Sequence, residues 1–268
     1  MDSSLQNKEN SLRSILQSYD SVAVAFSGGV DSSLLLEMAH EVLGEKALAL
    51  TAAMAALPAR ELHSARDFCQ TRDIHHIVVP FDEFAIAGFA ENPRNRCYLC
   101  KYALLNSLLA IAEEQGITVL AEGSNLDDED DYRPGKAAVE ELGVISPFLA
   151  AGFSKDDIRA LSKERGLASW DKAACACLAS RLPFGTPLSE ELFRIIDEAE
   201  QCILDAGAKQ VRVRVHDDLA RIELDEQSIA LFLEPPLREH IDAELKRLGF
   251  ARVTLDLHGY RMGSMNAL

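Results

Sequence analysis

Seven residues near the start of the chain, Ser27-Gly28-Gly29-Val30-Asp31-Ser32-Ser33, have the types and spacing of an anion site. Two adjacent glycines let the backbone turn sharply and approach a ligand closely. Where a helix starts after such a turn, its first N–H groups have no intrahelical partner and face whatever lies beyond. Ser27, Ser32 and Ser33 add hydroxyl donors, and Asp31 can hold a metal ion or cap the helix. No G-x-x-x-x-G-K-[ST] occurs in the chain, so this is not a Walker A loop. An ordinary capped turn between strand and helix would use the same residue types. Four polar side chains around one glycine pair favour phosphate binding.

The second chemical signal is sulfur. The six cysteines are Cys69, Cys97, Cys100, Cys175, Cys177 and Cys202. Cys97-x-x-Cys100 stands just before an expected helix, whose dipole favours thiolate there. Cys175-x-Cys177 follows 75 positions after Cys100. Two close pairs can share one metal, and thiolates suit zinc or an iron–sulfur cluster. A structural zinc site is the plain alternative. A thioredoxin-like redox pair fits less well, because the first βα turn is already a phosphate loop. Cys69 and Cys202 fall on apparent helix faces and read as core residues.

Carboxylates and arginines complete the inventory. The loop Glu122–Gly135 carries six carboxylates. Glu129 and Asp130 read as solvated, whereas Asn125, Asp127 and Asp128 stand directly after a strand end, where Mg²⁺ bound to phosphates finds ligands. Arg133 is the one cation in that loop and suits a phosphate or carboxylate. Arg212 and Arg214 project from one face of the alternating run Val211–Val215 and read as an anion site with no carboxylate between them. Arg181 is a further candidate. His216 reads as a strand-end residue.

The elements that must position these groups alternate. Strands are expected at Ser21–Phe26, Ala47–Ala56, Ile77–Val79 and Ile117–Glu122, with helices at 9–19, Leu34–Leu43, after Pro58, at Lys101–Gln115 and at Ser154–Arg165. That order predicts an α/β fold, a doubly wound parallel sheet with ligands beyond the strand C-terminal ends. The pattern changes near residue 186. A helix from Ser189 to Ala206, strands at Val211–Val215, Arg221–Leu224 and Val253–Leu257, and a helix at Pro236–Leu248 predict a smaller C-terminal α+β domain. The expected domains are 1–186, for nucleotide chemistry, and 187–268, for substrate binding or oligomerisation.

Composition narrows the classes. The chain has 268 residues, 48% hydrophobic and 26% charged, ordinary for a soluble globular protein. The N-terminus is polar, and no apolar run reaches the roughly 18 residues of a membrane span, so a cytoplasmic protein without a membrane partner is expected. A net charge of −16 argues against binding a polyanion such as tRNA.

S-G-G-V-D-S-S resembles the pyrophosphate loop of the N-type ATP pyrophosphatases, the PP-loop superfamily with an adenine nucleotide alpha hydrolase-like fold. Those enzymes split ATP between its α- and β-phosphates. Four further stretches resemble the LarE-type sulfur transferases, which help build the nickel-pincer cofactor of lactate racemase. They are Arg96–Lys101, Asp131–Gly135, Cys177–Gly185 and Val211–Glu223, and the C-terminal G-Y-R-M-G-S-M-N also fits. The resemblance implies ATP and Mg²⁺ as cofactors. It also implies a pyridinium dicarboxylate mononucleotide as substrate, one carboxylate of which is adenylylated and converted to a thiocarboxylate. It implies ATP contacts from Ser27, Gly28, Gly29, Val30, Asp31, Ser32, Ser33 and Asn125, with catalytic roles for Asp31, Cys97, Cys100 and Cys177. Single-cysteine members surrender their own sulfur, whereas three-cysteine members hold a [4Fe–4S] cluster, and Cys97, Cys100 and Cys177 match the latter pattern. Cys175 departs from it, because a small non-thiol residue is expected there. Asp127 and Asp128 are the expected Mg²⁺ ligands, and Arg133, Arg181, Arg212 and Arg214 the substrate clamps. A homo-oligomer is expected. The alternatives are a tRNA thiolase, an amide-forming PP-loop ligase, or a nonenzymatic nucleotide-binding module with structural zinc.

Overall fold

The structure, a computed structural model, describes residues 3–128, 135–173 and 175–261. It forms two compact units. One comprises the chain up to Ile86 together with Asn95–Cys175, the other Ala87–Arg94 together with the chain from Ala176 onward.

The first unit runs α1 (Ser3–Gln17), β1 (Val22–Ala25), α2 (Val30–Leu43), β2 (Ala47–Ala53), α3 (Ala59–Thr71), β3 (His76–Pro80), α4 (Arg96–Glu114), β4 (Leu120–Ala121), α5 (Gly135–Glu141), α6 (Pro147–Ala150) and α7 (Lys155–Glu164). Its four strands lie in the order β3-β2-β1-β4, and every pairing is parallel. The apolar character of β1 follows from burial on both faces. Val22 and Val24 pack with Leu12 and Leu16 of α1, Leu35 of α2, Cys69 of α3 and Leu161 of α7. Ala23 packs on the opposite side with Leu105 and Leu108 of α4 and Val139 of α5. This is the expected α/β, doubly wound architecture.

Two helices begin earlier than expected, and both shifts concern chemistry. α2 starts at Val30, so Asp31, Ser32 and Ser33 occupy its first turn. α4 starts at Arg96, so Cys97 and Cys100 lie within the helix rather than before it. The strand expected over 117–122 is reduced to β4, but its edge continues through a bridge from Ala121 to Ile145. α7 opens on the expected capping box: the Ser154 side chain accepts from Asp157 N–H, and the Asp157 carboxylate accepts from Ser154 N–H.

The second unit contains α8 (Glu190–Asp205), β5 (Val211–His216), β6 (Leu219–Leu224), α9 (Glu226–Phe232), α10 (Pro235–Arg247) and β7 (Arg252–Leu255). β5 and β6 form an antiparallel hairpin and β7 adds in parallel to β6, giving a mixed three-stranded sheet. Residues 87–94 belong to this unit, which nothing in their sequence signals. Leu188 N–H donates to Ala90 O at 2.8 Å, and Gly185 N–H to Asn92 O at 2.9 Å. Among the described residues no helix is long and apolar enough to cross a membrane.

Candidate active site

In the first unit the turn after β1 is shaped for close approach. Gly28 sits at φ +71°, the left-handed region that side chains avoid, against the backbone of Glu61 and Ala65 on α3. Ser32 is buried and ties the turn together. Its Oγ lies 3.2 Å from Ser27 Oγ, accepts from Ser27 N–H at 3.3 Å and donates to Gly29 O at 3.3 Å. Ser33 is also buried, and its Oγ has no hydrogen-bond partner among the described residues. Asp31 points away from the core, its carboxylate meeting Lys155 Nζ on one oxygen and Asn125 Nδ2 at 3.4 Å on the other.

The loop after β4 presses onto this turn. A Cβ on Gly123 would lie 3.1 Å from Asp31 Cβ and 3.2 Å from Ser32 N, so only glycine fits without displacing the start of α2. Asn125 is buried and bridges the loops: Oδ1 accepts from Asp127 N–H at 3.1 Å while Nδ2 reaches Asp31. The Asp128 carboxylate accepts from Asn125 N–H at 3.0 Å, and that of Asp127 from Lys155 N–H at 2.5 Å. Both aspartates thus already shape the loop in which Mg²⁺ ligands were expected. Arg133 lies outside the described residues, as do Glu129 and Asp130.

Several residues of this site carry no sequence signal that singles them out. Glu122, buried at the end of β4, accepts from Lys101 Nζ at 3.2 Å, Ser146 Oγ at 2.6 Å and the hydroxyl and N–H of Ser124. Burial alone would push its carboxyl up, but Lys101 and these donors outweigh it and leave it below the ordinary range. Lys172 Nζ donates to Gly28 O at 3.0 Å and pairs with Glu61 at 2.8 Å. Gly123 alone had a clue, its position directly after a strand. Gly123→Ala is expected to raise the KM for ATP while costing about 1–3 kcal/mol of stability, the usual result of overpacking. ATP titration of pyrophosphate release, together with urea unfolding, checks it; an unchanged KM would show that the contact does not set the turn.

The thiols differ in setting. Cys97 and Cys100 lie one helical turn apart on α4, exposed and half-buried respectively. Cys175 and Cys177 are both exposed. Cys69 is buried, and burial pushes its thiol up to about 12, despite opposition from Arg72. That matches a core residue. Among the described residues no group of three or more His, Cys, Asp or Glu side chains is gathered for a metal ion.

In the second unit the arginines are placed differently from expectation. Arg181 is fully buried. Its Nε and Nη2 donate to the two carboxylate oxygens of Glu200 on α8 at 2.7 and 2.8 Å. Its Nη1 donates to Ala176 O at 2.6 Å and Cys177 O at 3.1 Å, so this guanidinium holds the backbone of the cysteine segment. Glu200 also accepts from Val213 N–H at 3.1 Å on the edge of β5. Burial would raise the Glu200 carboxyl; Arg181, Arg212 and the Val213 N–H hold it low.

The face carrying Arg212 and Arg214 is not free of carboxylates. β6 sets Glu223 directly opposite Arg212, and Arg214 Nε and Nη2 both donate to Glu223 at 3.0 and 2.8 Å. Its Nη1 donates to Ser180 O at 2.9 Å. Arg212 donates to Val211 O at 2.8 Å and stands 5.0 Å from the centroid of the Tyr260 ring. Both side chains are buried, and a strand read alone does not show which residues its neighbour sets across from it.

A family model described as asparagine synthase matches residues 8–94, the segment holding the phosphate turn. An uncharacterised protein of Synechocystis sp. is 38% identical over 262 residues, covering 98% of each chain. The pyridinium-3,5-bisthiocarboxylic acid mononucleotide synthase of Lactiplantibacillus plantarum is 36% identical over 263 residues, covering 98% of this chain and 95% of that one. The chain belongs to the LarE-type sulfur transferases. It is an enzyme of the PP-loop class that uses ATP and transfers sulfur. More distantly, the tRNA-specific 2-thiouridylase MnmA of Rhodospirillum rubrum is 32% identical over 191 residues, covering 56% of this chain and 50% of that one.

Proposed function

We propose that this enzyme adenylylates a carboxylate of a pyridinium dicarboxylate mononucleotide and replaces the adenylate by sulfur, for nickel-pincer cofactor synthesis. The similarity to the Lactiplantibacillus plantarum synthase, spanning nearly all of both chains, carries this reading. In the first step a substrate carboxylate oxygen attacks the α-phosphorus of ATP, and pyrophosphate leaves. Ser27, Gly28, Gly29, Val30, Ser32 and Ser33 cradle the phosphates, Asn125 fixes the facing loop, and Asp127 and Asp128, with Asp31, would hold the accompanying Mg²⁺. In the second step a sulfur nucleophile attacks the acyl carbon and AMP leaves with its bonding electrons. Thiolates are strong nucleophiles and AMP a good leaving group. Arg133, Arg212 and Arg214 are the assigned partners of the substrate's phosphate and carboxylates. A tRNA substrate fits the net charge of −16 poorly.

The sulfur passes through Cys97, Cys100 and Cys177. Two unburied thiols one turn apart on α4 suit two ligand positions of a [4Fe–4S] cluster, and Cys177 is the assigned third. A bound cluster would supply sulfide at an iron lacking a protein ligand.

Mass spectrometry after incubation with ATP, Mg²⁺ and the dicarboxylate mononucleotide tests the function. AMP, pyrophosphate and a product with one oxygen replaced by sulfur are expected; an unmodified nucleotide sinks it. Anaerobic reconstitution with iron and sulfide tests the thiols. Cys97→Ala, Cys100→Ala and Cys177→Ala should each lose the iron chromophore, and Cys175→Ala should keep it. A wild type that binds no iron and leaves one cysteine as dehydroalanine after turnover would establish the sacrificial route instead.

A further inference from the structure

β1 pairs with β2 as far as Ala25 and Leu50, and Phe26 N–H then donates to Leu50 O at 2.8 Å. Beyond that bond the chain leaves the sheet for the phosphate turn, and β2 meets it with a side chain instead of its backbone. Thr51, buried, donates from Oγ1 to Phe26 O at 2.7 Å. A hydroxyl has one proton to give. The second bond of that oxygen, 2.8 Å to Nε2 of His76 on β3, is therefore donated by the imidazole. Burial, with Arg66 and His75, pushes His76 down, which favours the neutral ring.

The other end of the same peptide is held as well. Ser27 N–H donates to Ser32 Oγ at 3.3 Å, in the first turn of α2. The Phe26 ring packs on Phe68, with centroids 5.3 Å apart, and meets His76 edge-on at 6.0 Å. The peptide that opens the turn is thus fixed at its carbonyl, at its N–H and at the side chain before it.

The orientation of this peptide matters to an anion. Backbone N–H groups attract a phosphate, whereas a carbonyl oxygen, with its partial negative charge, repels it. Thr51 keeps the Phe26 carbonyl turned into the interior and sets the direction in which the chain enters Gly28 at φ +71°. Valine at position 51 would fill nearly the same space, but it would leave that carbonyl and the His76 N–H without their shared partner.

We propose that Thr51 is a positioning residue for ATP binding, whose hydroxyl, oriented by His76, fixes the Phe26–Ser27 peptide with its carbonyl away from the phosphates. This rests on the PP-loop reading of the turn and adds the side chain on the neighbouring strand that sets its shape. A turn ordered before the nucleotide arrives needs no ordering at the expense of binding free energy.

The test is calorimetric titration of the full-length protein with α,β-methylene-ATP, with urea unfolding of each variant alongside. Thr51→Val and Thr51→Ala should each weaken the analogue by about five- to fiftyfold, the scale of one lost buried hydrogen bond whose acceptor is left unsatisfied. Thr51→Ser keeps the hydroxyl and should recover most of that loss. Leu108→Ala opens a cavity on the opposite face of the sheet, among residues packed with Ala23 and Leu48. It should lower the urea midpoint and bind the analogue like wild type. The proposal is overturned if Thr51→Val binds like wild type, if Thr51→Ser is as weak as Thr51→Val, or if Leu108→Ala weakens binding as much. Any of these would make Thr51 plain scaffold. A wild type that does not bind α,β-methylene-ATP would fail the PP-loop reading itself, and this proposal with it.

Discussion

Asp31→Ala is expected to reduce pyrophosphate release by on the order of a hundredfold or more, the scale of removing a preorganised electrostatic group from a transition state. The carboxylate sits in the first turn of α2, held between Asn125 and Lys155 and directed away from the core, so the fold should survive its loss. Asp31→Asn separates shape from charge. It keeps the length of the side chain, and an equal loss of rate would assign the effect to the charge. The measurement is the yield of labelled AMP from ATP labelled at the α-phosphate, with circular dichroism to confirm folding. Retention of the wild-type rate by Asp31→Ala would remove Asp31 from the chemistry, and retention by Asp31→Asn alone would assign its role to shape. Ser32→Ala should behave differently: its Oγ organises the turn internally, so lower thermal stability should accompany the lower rate.

Arg181→Ala is expected to destabilise the second unit by about 3–5 kcal/mol, because it leaves the buried Glu200 carboxylate without its guanidinium partner. Arg181 and Glu200 are both fully buried, and the guanidinium also holds the carbonyls of Ala176 and Cys177. Equilibrium urea unfolding should show the drop in midpoint. Glu200→Gln can keep the Val213 bond and isolates the charge. Because the folded-state pKa of Glu200 is depressed, its contribution is complete above the unfolded value, about 4.3, and is lost as pH falls through the folded value. The wild type should therefore lose stability in acid more steeply than Glu200→Gln does. An Arg181→Ala protein with the wild-type midpoint, weakened only toward its substrate, would return Arg181 to the role of a clamp.

The class of chemistry was legible from local sequence alone. A glycine pair between an apolar strand and a helix, ringed by Ser27, Asp31, Ser32 and Ser33, reads as a phosphate turn because glycine conformation and helix-terminal donors are local properties. The alternation of strands and helices likewise sufficed for the parallel sheet. The cap at Ser154 and Asp157 was equally legible, since its partners lie three residues apart. Partners distant in sequence were not legible. Only the tertiary structure brought Lys155 to Asp31 and Lys172 to Gly28, set Glu223 across from Arg212, and sealed Arg181 against Glu200. Each of these depends on which surfaces a helix or strand is packed against, and hydropathy along one segment records burial without naming the neighbour. An arginine on an alternating strand looks the same in sequence with or without a glutamate set across from it. The difference is decided by the strand beside it.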